Sequence, residues 1–241
     1  KEYSNFFNKL LLNNIKIIIY DREPKNIEYN YLIIPYILNK PSLKENLVTG
    51  KRSLILNQAL FSKQKKIKNK KFVIYINMGA SDNNNYTVKI LKRLCYFFNN
   101  IKYQIKIVIG PFFNKENIKK IKIYCKIFKN ITYSQSQNNY VNTMKNSSLA
   151  IVNSGNVKYE IAALGKPFIL IANNKKSLKF CNYFKKIVNC KNFDNFKIPN
   201  EKKLKNYINN LNNTYNISKK KFFLNKKKIS NNEIINLCKK I

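Results

Sequence analysis

Short apolar runs alternating with longer segments of helical periodicity constrain this chain more than any other feature. The runs are KFVIYINMG (71–79), QIKIVIG (104–110), SLAIVNSG (148–155) and PFILIA (167–172). Each is a few residues long and rich in Ile, Val, Phe and Tyr, the composition of a strand. Between and around them lie NNYTVKILKRLCYFFNN, NKENIKKIKIYCKIF and NVKYEIAALG, whose apolar residues recur at helical spacing; Ile90, Leu91, Leu94 and Phe97 are expected to form one buried stripe. Such alternation is the signature of βα units, so the fold class is α/β with a mainly parallel, Rossmann-like sheet.

Four of the five glycines fall at the joints of this pattern. Gly79, Gly110 and Gly155 each end a strand run, where a tight turn or a close backbone approach is needed. Gly110 reads as a plain turn. Gly165 follows EIAAL and precedes Lys166-Pro167, and so reads as a helix C-cap with the proline opening the next strand.

Upstream, NNIKIIIYDREP (13–24) and YNYLIIPYIL (29–38) read as two further strands behind a short helix at 1–12. Residues 39–70 show little periodicity and end in the basic run SKQKKIKNKK, which reads as a solvated connector. Downstream of about residue 175 the pattern is helical and lysine-rich.

The 241 residues, 44% of them hydrophobic, suffice for a substantial core. The charge balance is extreme, 47 basic against 11 acidic residues, a formal net charge of +36. Alone it suggests a polyanionic partner such as nucleic acid. Yet only Arg22, Arg52 and Arg93 are arginines, the side chain that phosphate and base recognition favours. The lysines sit among abundant Asn, Ile, Tyr and Phe, a bias that drift toward A/T-rich codons also produces. Both readings stay open.

Histidine is absent, which removes Ser-His and Cys-His nucleophile systems and the usual general base at neutral pH. The five cysteines are an odd set without C-x-x-C spacing, so neither a disulfide framework nor a zinc site is indicated, and free thiols in a reducing cytoplasm are expected. No metal and no cofactor are expected. No apolar run reaches the roughly 18 residues that span a bilayer.

Two loops carry the chemistry. NMGASDNNN (77–85) offers Gly79 for close approach, with Ser81 and Asp82 as cap-type side chains. NSGNVKYE (153–160) offers Ser154, Gly155 and Asn156, with Glu160 one turn into the following helix. A loop at the carboxyl end of a parallel strand that feeds a helix presents backbone N–H groups to an anion. Glu160 reads either as an acceptor for a ribose diol or as a helix-dipole acid on a solvated face.

These stretches, in order VIYINMGASDNNNYTVKILKRL, IKIVIG and NITYSQSQNNYVNTMKNSSLAIVNSGNVKYEIAALGKPFILIANN, resemble the UDP-sugar hydrolases of pseudaminic acid synthesis (PseG) and their spore-coat-polysaccharide relatives (SpsG). Those are similar to MurG-type glycosyltransferases of GT-B architecture, two Rossmann-like domains. The likeness rests on Gly-Ala-Ser-Asp at 79–82 and on Ser154 through Pro167, where the family has Gly-Gly-Ser-Asp and Ser-x-Gly-Gly-x-x-x-x-Glu-x-x-x-x-Gly-x-Pro. It covers residues 15–190 and is strongest over 72–174. It implies that Gly79, Ser81, Ser154, Gly155 and Asn156 surround the phosphates of a UDP-sugar, that Glu160 holds the ribose and that Asn174 lies near the sugar, with Asp82 also among the substrate-binding residues.

The resemblance divides the chain into a remnant of an N-terminal Rossmann-like domain with its linker (1–62) and a C-terminal UDP-binding domain (63–241) of GT-B type. The family's Gly-His-Gly-His loop, whose histidine is its catalytic candidate, has no counterpart here. The implied reaction is hydrolysis at the anomeric carbon releasing UDP, with GT-B transfer to an acceptor as the alternative in the same cleft. A basic module binding nucleic acid or another polyanion is the alternative from another class. Its support is the +36 charge and runs such as KKKFFLNKKK (219–228).

Overall fold

In the computed structural model, the residues described are 2–13, 16–20, 27–34, 47–49, 53–62, 71–94, 97, 100, 102–135, 140–187, 191–192 and 200–214. Contacts divide the chain into two units, with the break between Asn57 and Gln58.

The first unit holds helix α1 (Glu2–Leu12) and a parallel three-stranded sheet of order β1-β2-β3: β1 (Ile18–Tyr20), β2 (Tyr31–Ile34) and β3 (Leu47–Thr49). The two upstream strands of the sequence reading lie here. Strand β3 lies within 39–70, a stretch that shows little periodicity in the sequence. Its Leu-Val-Thr triplet is too short to show a period, and sheet pairing with β2 rather than local pattern makes it a strand. Leu54 and Leu56, just downstream, are buried.

The second unit is a six-stranded parallel sheet of order β6-β5-β4-β7-β8-β9. Its strands are β4 (Phe72–Asn77), β5 (Tyr103–Val108), β6 (Ile131–Ser134), β7 (Leu149–Asn153), β8 (Phe168–Ile171) and β9 (Lys191–Asn192). The helices are α2 (Tyr86–Arg93), α3 (Lys115–Ile127), α4 (Tyr140–Lys145), α5 (Val157–Ala163), α6 (Lys175–Ile187) and α7 (Glu201–Thr214). The four apolar runs became β4, β5, β7 and β8. Strand β4 is buried throughout, as is β7. That is the outcome for parallel strands covered on both faces, and it is why they read as unbroken apolar runs.

Alternate side chains explain the two layers. Ile74, Ile76, Ile105, Ile107, Leu149, Ile151, Ile169 and Ile171 join Ile121, Leu204 and Ile208 in one core cluster. The expected stripe of Ile90, Leu91, Leu94 and Phe97 belongs to the same cluster, each residue at most 1% exposed. Helix α2 itself stops at Arg93, and Phe97 reaches the core through a turn in which its N–H donates to the Leu94 carbonyl at 2.8 Å. On the other side of the strands, Tyr75, Val152, Phe168 and Leu170 are buried as well. Helix α5 ends where expected: Gly165 adopts φ 65°, and the N–H groups of Gly165 and Lys166 return to the carbonyls of Ala162 and Ile161.

The strand order places the site. Counting strands in chain order within this sheet, the order is 3-2-1-4-5-6, with the reversal between β4 and β7. In open α/β sheets the crevice beyond the carboxyl ends of the strands at such a reversal is where ligands bind.

Candidate functional site

Strands β4 and β7, side by side at the reversal, end in the same way. Asn77 closes β4 and Asn153 closes β7, and each accepts, through Oδ1, the N–H of the glycine two residues on: Gly79 at 2.8 Å and Gly155 at 3.0 Å. The two side-chain amides lock these turns further. Asn77 Nδ2 donates to the Tyr75 hydroxyl at 2.7 Å, and Asn153 Nδ2 donates to the Met78 carbonyl, tying the β7 turn to the β4 turn. Both asparagines are more than nine-tenths buried. The N–H groups of Gly79 and Gly155, which an anion site of the expected kind would use, are therefore already engaged. The N–H groups of Ala80, Asn156 and Val157 have no partner among the described residues.

Between the turns lies a cavity of about 610 Å³, in the size range of small-molecule sites. Its lining comes from four places: Asn77, Gly79 and Ala80 after β4; Val108 to Pro111 after β5; Asn153 and Gly155 to Val157 after β7; and Tyr140 with Glu160 from α4 and α5. None of these is a lysine or an arginine, although the chain carries 47 of them. Gly79 and Gly155 thus open onto one cavity, as the sequence reading required.

Gly110, read as a plain turn, proves a constrained part of this wall. A Cβ there would stand 2.2 Å from the Gly79 carbonyl oxygen and 2.4 Å from that of Ala80. The β5 turn passes against the β4 turn with no room for a side chain, and the Phe112 N–H donates to the Ala80 carbonyl at 2.9 Å.

Glu160 is half-buried in the cavity wall and accepts a hydrogen bond from the Tyr140 hydroxyl at 2.9 Å. Burial pushes its carboxyl above the usual carboxylate range, and the Tyr140 bond pulls it part of the way back. Burial also raises the Tyr75 phenol far above its ordinary value, and the charge of Glu160 adds to that. Glu160 is therefore not the solvated helix-dipole acid that was its alternative reading.

The remaining expected site residues divide. Ser81, Asp82 and Asn174 line a separate hollow of about 320 Å³, together with Met78, Tyr86 and Asn173. Asp82 is 4% exposed, and its two oxygens accept the N–H groups of Tyr86 and Thr87, each at 2.7 Å. Its carboxylate is occupied in starting α2. Asn174 does the same for α6: its Oδ1 accepts the Ser177 N–H at 2.8 Å while Ser177 Oγ accepts the Asn174 N–H at 2.9 Å. Ser154 lines neither hollow, and its carbonyl accepts from a buried lysine.

That lysine, Lys158, was missed by the sequence reading. It is 2% exposed, with Nζ 2.7 Å from the Ser154 carbonyl oxygen and 3.3 Å from that of Gly155, and it stands 4.1 Å from the centre of the Tyr159 ring. It holds the β7 turn from within. Burial lowers its pKa to about 8, opposed by Cys181. Between about 8 and the unfolded value of 10.5 the unfolded chain binds more protons at this position than the folded one, so its contribution to stability rises with pH across that window. Comparing urea unfolding of the wild type with Lys158→Met at pH near 7.5 and near 9.5 should show the wild type gaining on the variant. A gap that does not change with pH would remove the buried ammonium from this account.

Among the described residues no group of three His, Cys, Asp or Glu stands together to hold a metal ion. No described helix is long and apolar enough to cross a membrane.

Comparison with known proteins fixes the fold class. No family profile matches the chain. The uncharacterised protein MJ1062 of Methanocaldococcus jannaschii is 28% identical over 199 residues, which cover 71% of this chain and 39% of that protein's length. Among solved structures, MurG of Acinetobacter baumannii superposes with a TM-score of 0.59 at 12% identity, covering 99% of this chain and 71% of MurG. The kitacinnamycin glycotransferase gives 0.51 at 10% identity, over 75% of this chain and 45% of that one. A Listeria monocytogenes protein assigned as a UDP-N-acetylglucosamine 2-epimerase gives 0.50 at 12%, over 77% and 51%. The fold is a Rossmann-like parallel α/β fold that matches GT-B glycosyltransferase domains.

Proposed function

We propose that the second unit binds the nucleotide of a UDP-sugar in the cavity between the β4 and β7 turns. Glu160 is the observation that carries this reading. A chain with 11 acidic residues sets one of them into a cavity wall where burial opposes its charge. An enclosed carboxylate lowers stability unless it meets donors, and Tyr140 supplies one donor only. A ribose diol supplies two more. The apolar wall of Val108, Ile109 and Pro111 suits a base, and the N–H groups of Ala80, Asn156 and Val157 suit a diphosphate.

The resemblance to pseudaminic-acid-pathway hydrolases extends this reading to a reaction, water attacking the anomeric carbon of a UDP-sugar as UDP departs. Backbone amides would stabilise the leaving diphosphate. Transfer to an acceptor hydroxyl, as in GT-B glycosyltransferases, is the second reading of the same cavity. With no histidine in the chain, we assign the cavity residues to holding the nucleotide. We keep residues 1–62 as the remnant of an N-terminal Rossmann-like domain and 63–241 as the nucleotide domain. Gly79, Gly155, Asn156 and Glu160 stay as contact residues; Ser81 and Asn174 border the neighbouring hollow, and Asp82 and Ser154 act as supports.

The polyanion reading is disfavoured for this cavity because no described residue of its lining is basic. Titration calorimetry with UDP and with a single-stranded oligonucleotide separates the two. Binding of UDP that survives moderate salt is the expected result. No heat with UDP, together with oligonucleotide binding that falls steeply with salt, would point to the polyanion instead.

A further inference from the structure

We propose that Tyr140 is the positioning residue for Glu160: its hydroxyl, donating to Oε1 at 2.9 Å across the cavity wall, fixes the carboxylate's rotation and turns its other oxygen to the ligand as an acceptor. The inference deepens the nucleotide reading and rests on it for the ligand's identity. Tyr140 opens α4 and Glu160 sits in α5, so the bond joins two separate elements 20 residues apart at the edge of the site.

Three features support it. A carboxylate on a flexible side chain has two oxygens and about four acceptor sites, and a phenolic donor on one oxygen leaves the other to accept from a ligand hydroxyl. The hydroxyl is also what offsets burial at Glu160, since it lowers a carboxyl that desolvation raises. Among the described residues no lysine or arginine does this instead. Lys158, on the same helix, is turned to the carbonyls of Ser154 and Gly155. Among the described residues the Tyr75 phenol feels the charge of Glu160, and burial raises it so that it stays uncharged.

The consequence is a pH-dependent role that simple packing does not have. Without the hydroxyl, Glu160 takes up its proton at higher pH and stops accepting from the ligand there. Tyr140→Phe keeps the ring and removes one oxygen. In this variant UDP is expected to bind about tenfold more weakly at the acidic end of a pH series, with the gap closing as pH rises and the carboxyl ionises. Carboxyl ¹³C NMR on the ligand-free protein, with the Glu160 signal assigned by its loss in Glu160→Gln, reads the same effect without UDP. The titration should move to higher pH in Tyr140→Phe.

An unmoved titration overturns the proposal whether or not UDP binds. A moved titration in a protein that binds no UDP at any pH upholds the positioning role and defeats the nucleotide reading alone. A moved titration with an affinity loss equal at every pH means that the Tyr140 hydroxyl acts on the ligand directly, and overturns its claimed route through Glu160.

Discussion

Gly110→Ala is expected to lose about 3 kcal/mol of stability, the upper end of what overpacking usually costs. The new Cβ would meet the Gly79 and Ala80 carbonyl oxygens at 2.2 and 2.4 Å and the Ala80 carbonyl carbon at 2.7 Å. All three are backbone atoms, and that backbone cannot swing aside cheaply. Asn77 Oδ1 holds the Gly79 N–H, Asn153 Nδ2 holds the Met78 carbonyl, and the Phe112 N–H holds the Ala80 carbonyl. Relief would have to come from moving the β4 turn, the β5 turn or both, and these are two walls of the cavity. UDP binding should therefore fall with stability in this variant. Gly155→Ala is the control, because its Cβ would come no nearer than 3.0 Å, to a side-chain oxygen of Asn153. Urea unfolding of the two variants should separate them clearly. Equal midpoints would show that the β4 and β5 turns yield more easily than their hydrogen bonds imply.

This glycine also marks where the sequence stops being readable. Strands β4, β5, β7 and β8 were legible because burial on both faces leaves a continuous apolar run, and the cap at Gly165 was legible because a local rule governs it. Strand β6 was not. Its four residues, Ile-Thr-Tyr-Ser, run buried, exposed, exposed and intermediate at the edge of the sheet, so no apolar run announces them. The β3 triplet is similarly mute. The tightness at Gly110 depends on two turns 30 residues apart passing each other, which no local pattern encodes.

The site was half legible for a related reason. Both glycines of the cavity turns are legible from their place after strands, and a repeat in the sequence marks them further: Asn-Met-Gly at 77–79 and Asn-Ser-Gly at 153–155 are the same three-residue device. A matched Asn two residues before each glycine signals a side chain that pins the turn. By contrast Ser81 and Asp82 read as cavity residues because they follow β4, and Asn174 because the family resemblance implies it. The structure turns Asp82 and Asn174 to helix starts, the use their residue types favour. Tyr140 and Lys158 could be found only in three dimensions. One comes from a helix that precedes β7, and the other looks in sequence like one more surface lysine.

Glu160 offers the sharpest test of whether this cavity is kept for binding. Replacing it with alanine is expected to weaken UDP binding by about 1.5 to 3 kcal/mol, or roughly 10- to 150-fold, the worth of hydrogen bonds to a charged acceptor. Stability should respond differently, and Glu160→Gln, which leaves no hole, isolates that response. Burial raises the Glu160 carboxyl above its unfolded value of 4.5. Between the two values the folded chain binds more protons than the unfolded one, so this residue's contribution to stability falls as pH rises through that window and stays lowered at neutral pH. Glu160→Gln should then be at least as stable as the wild type at pH 7, and relatively less stable at about pH 4. It should still bind UDP poorly, because an amide offers the ribose one acceptor oxygen without charge. A variant that gains or keeps stability while losing affinity identifies a residue retained for its ligand. If Glu160→Gln instead loses stability at neutral pH and binds UDP as the wild type does, Glu160 is a structural partner of Tyr140, and the ribose role assigned to it is wrong.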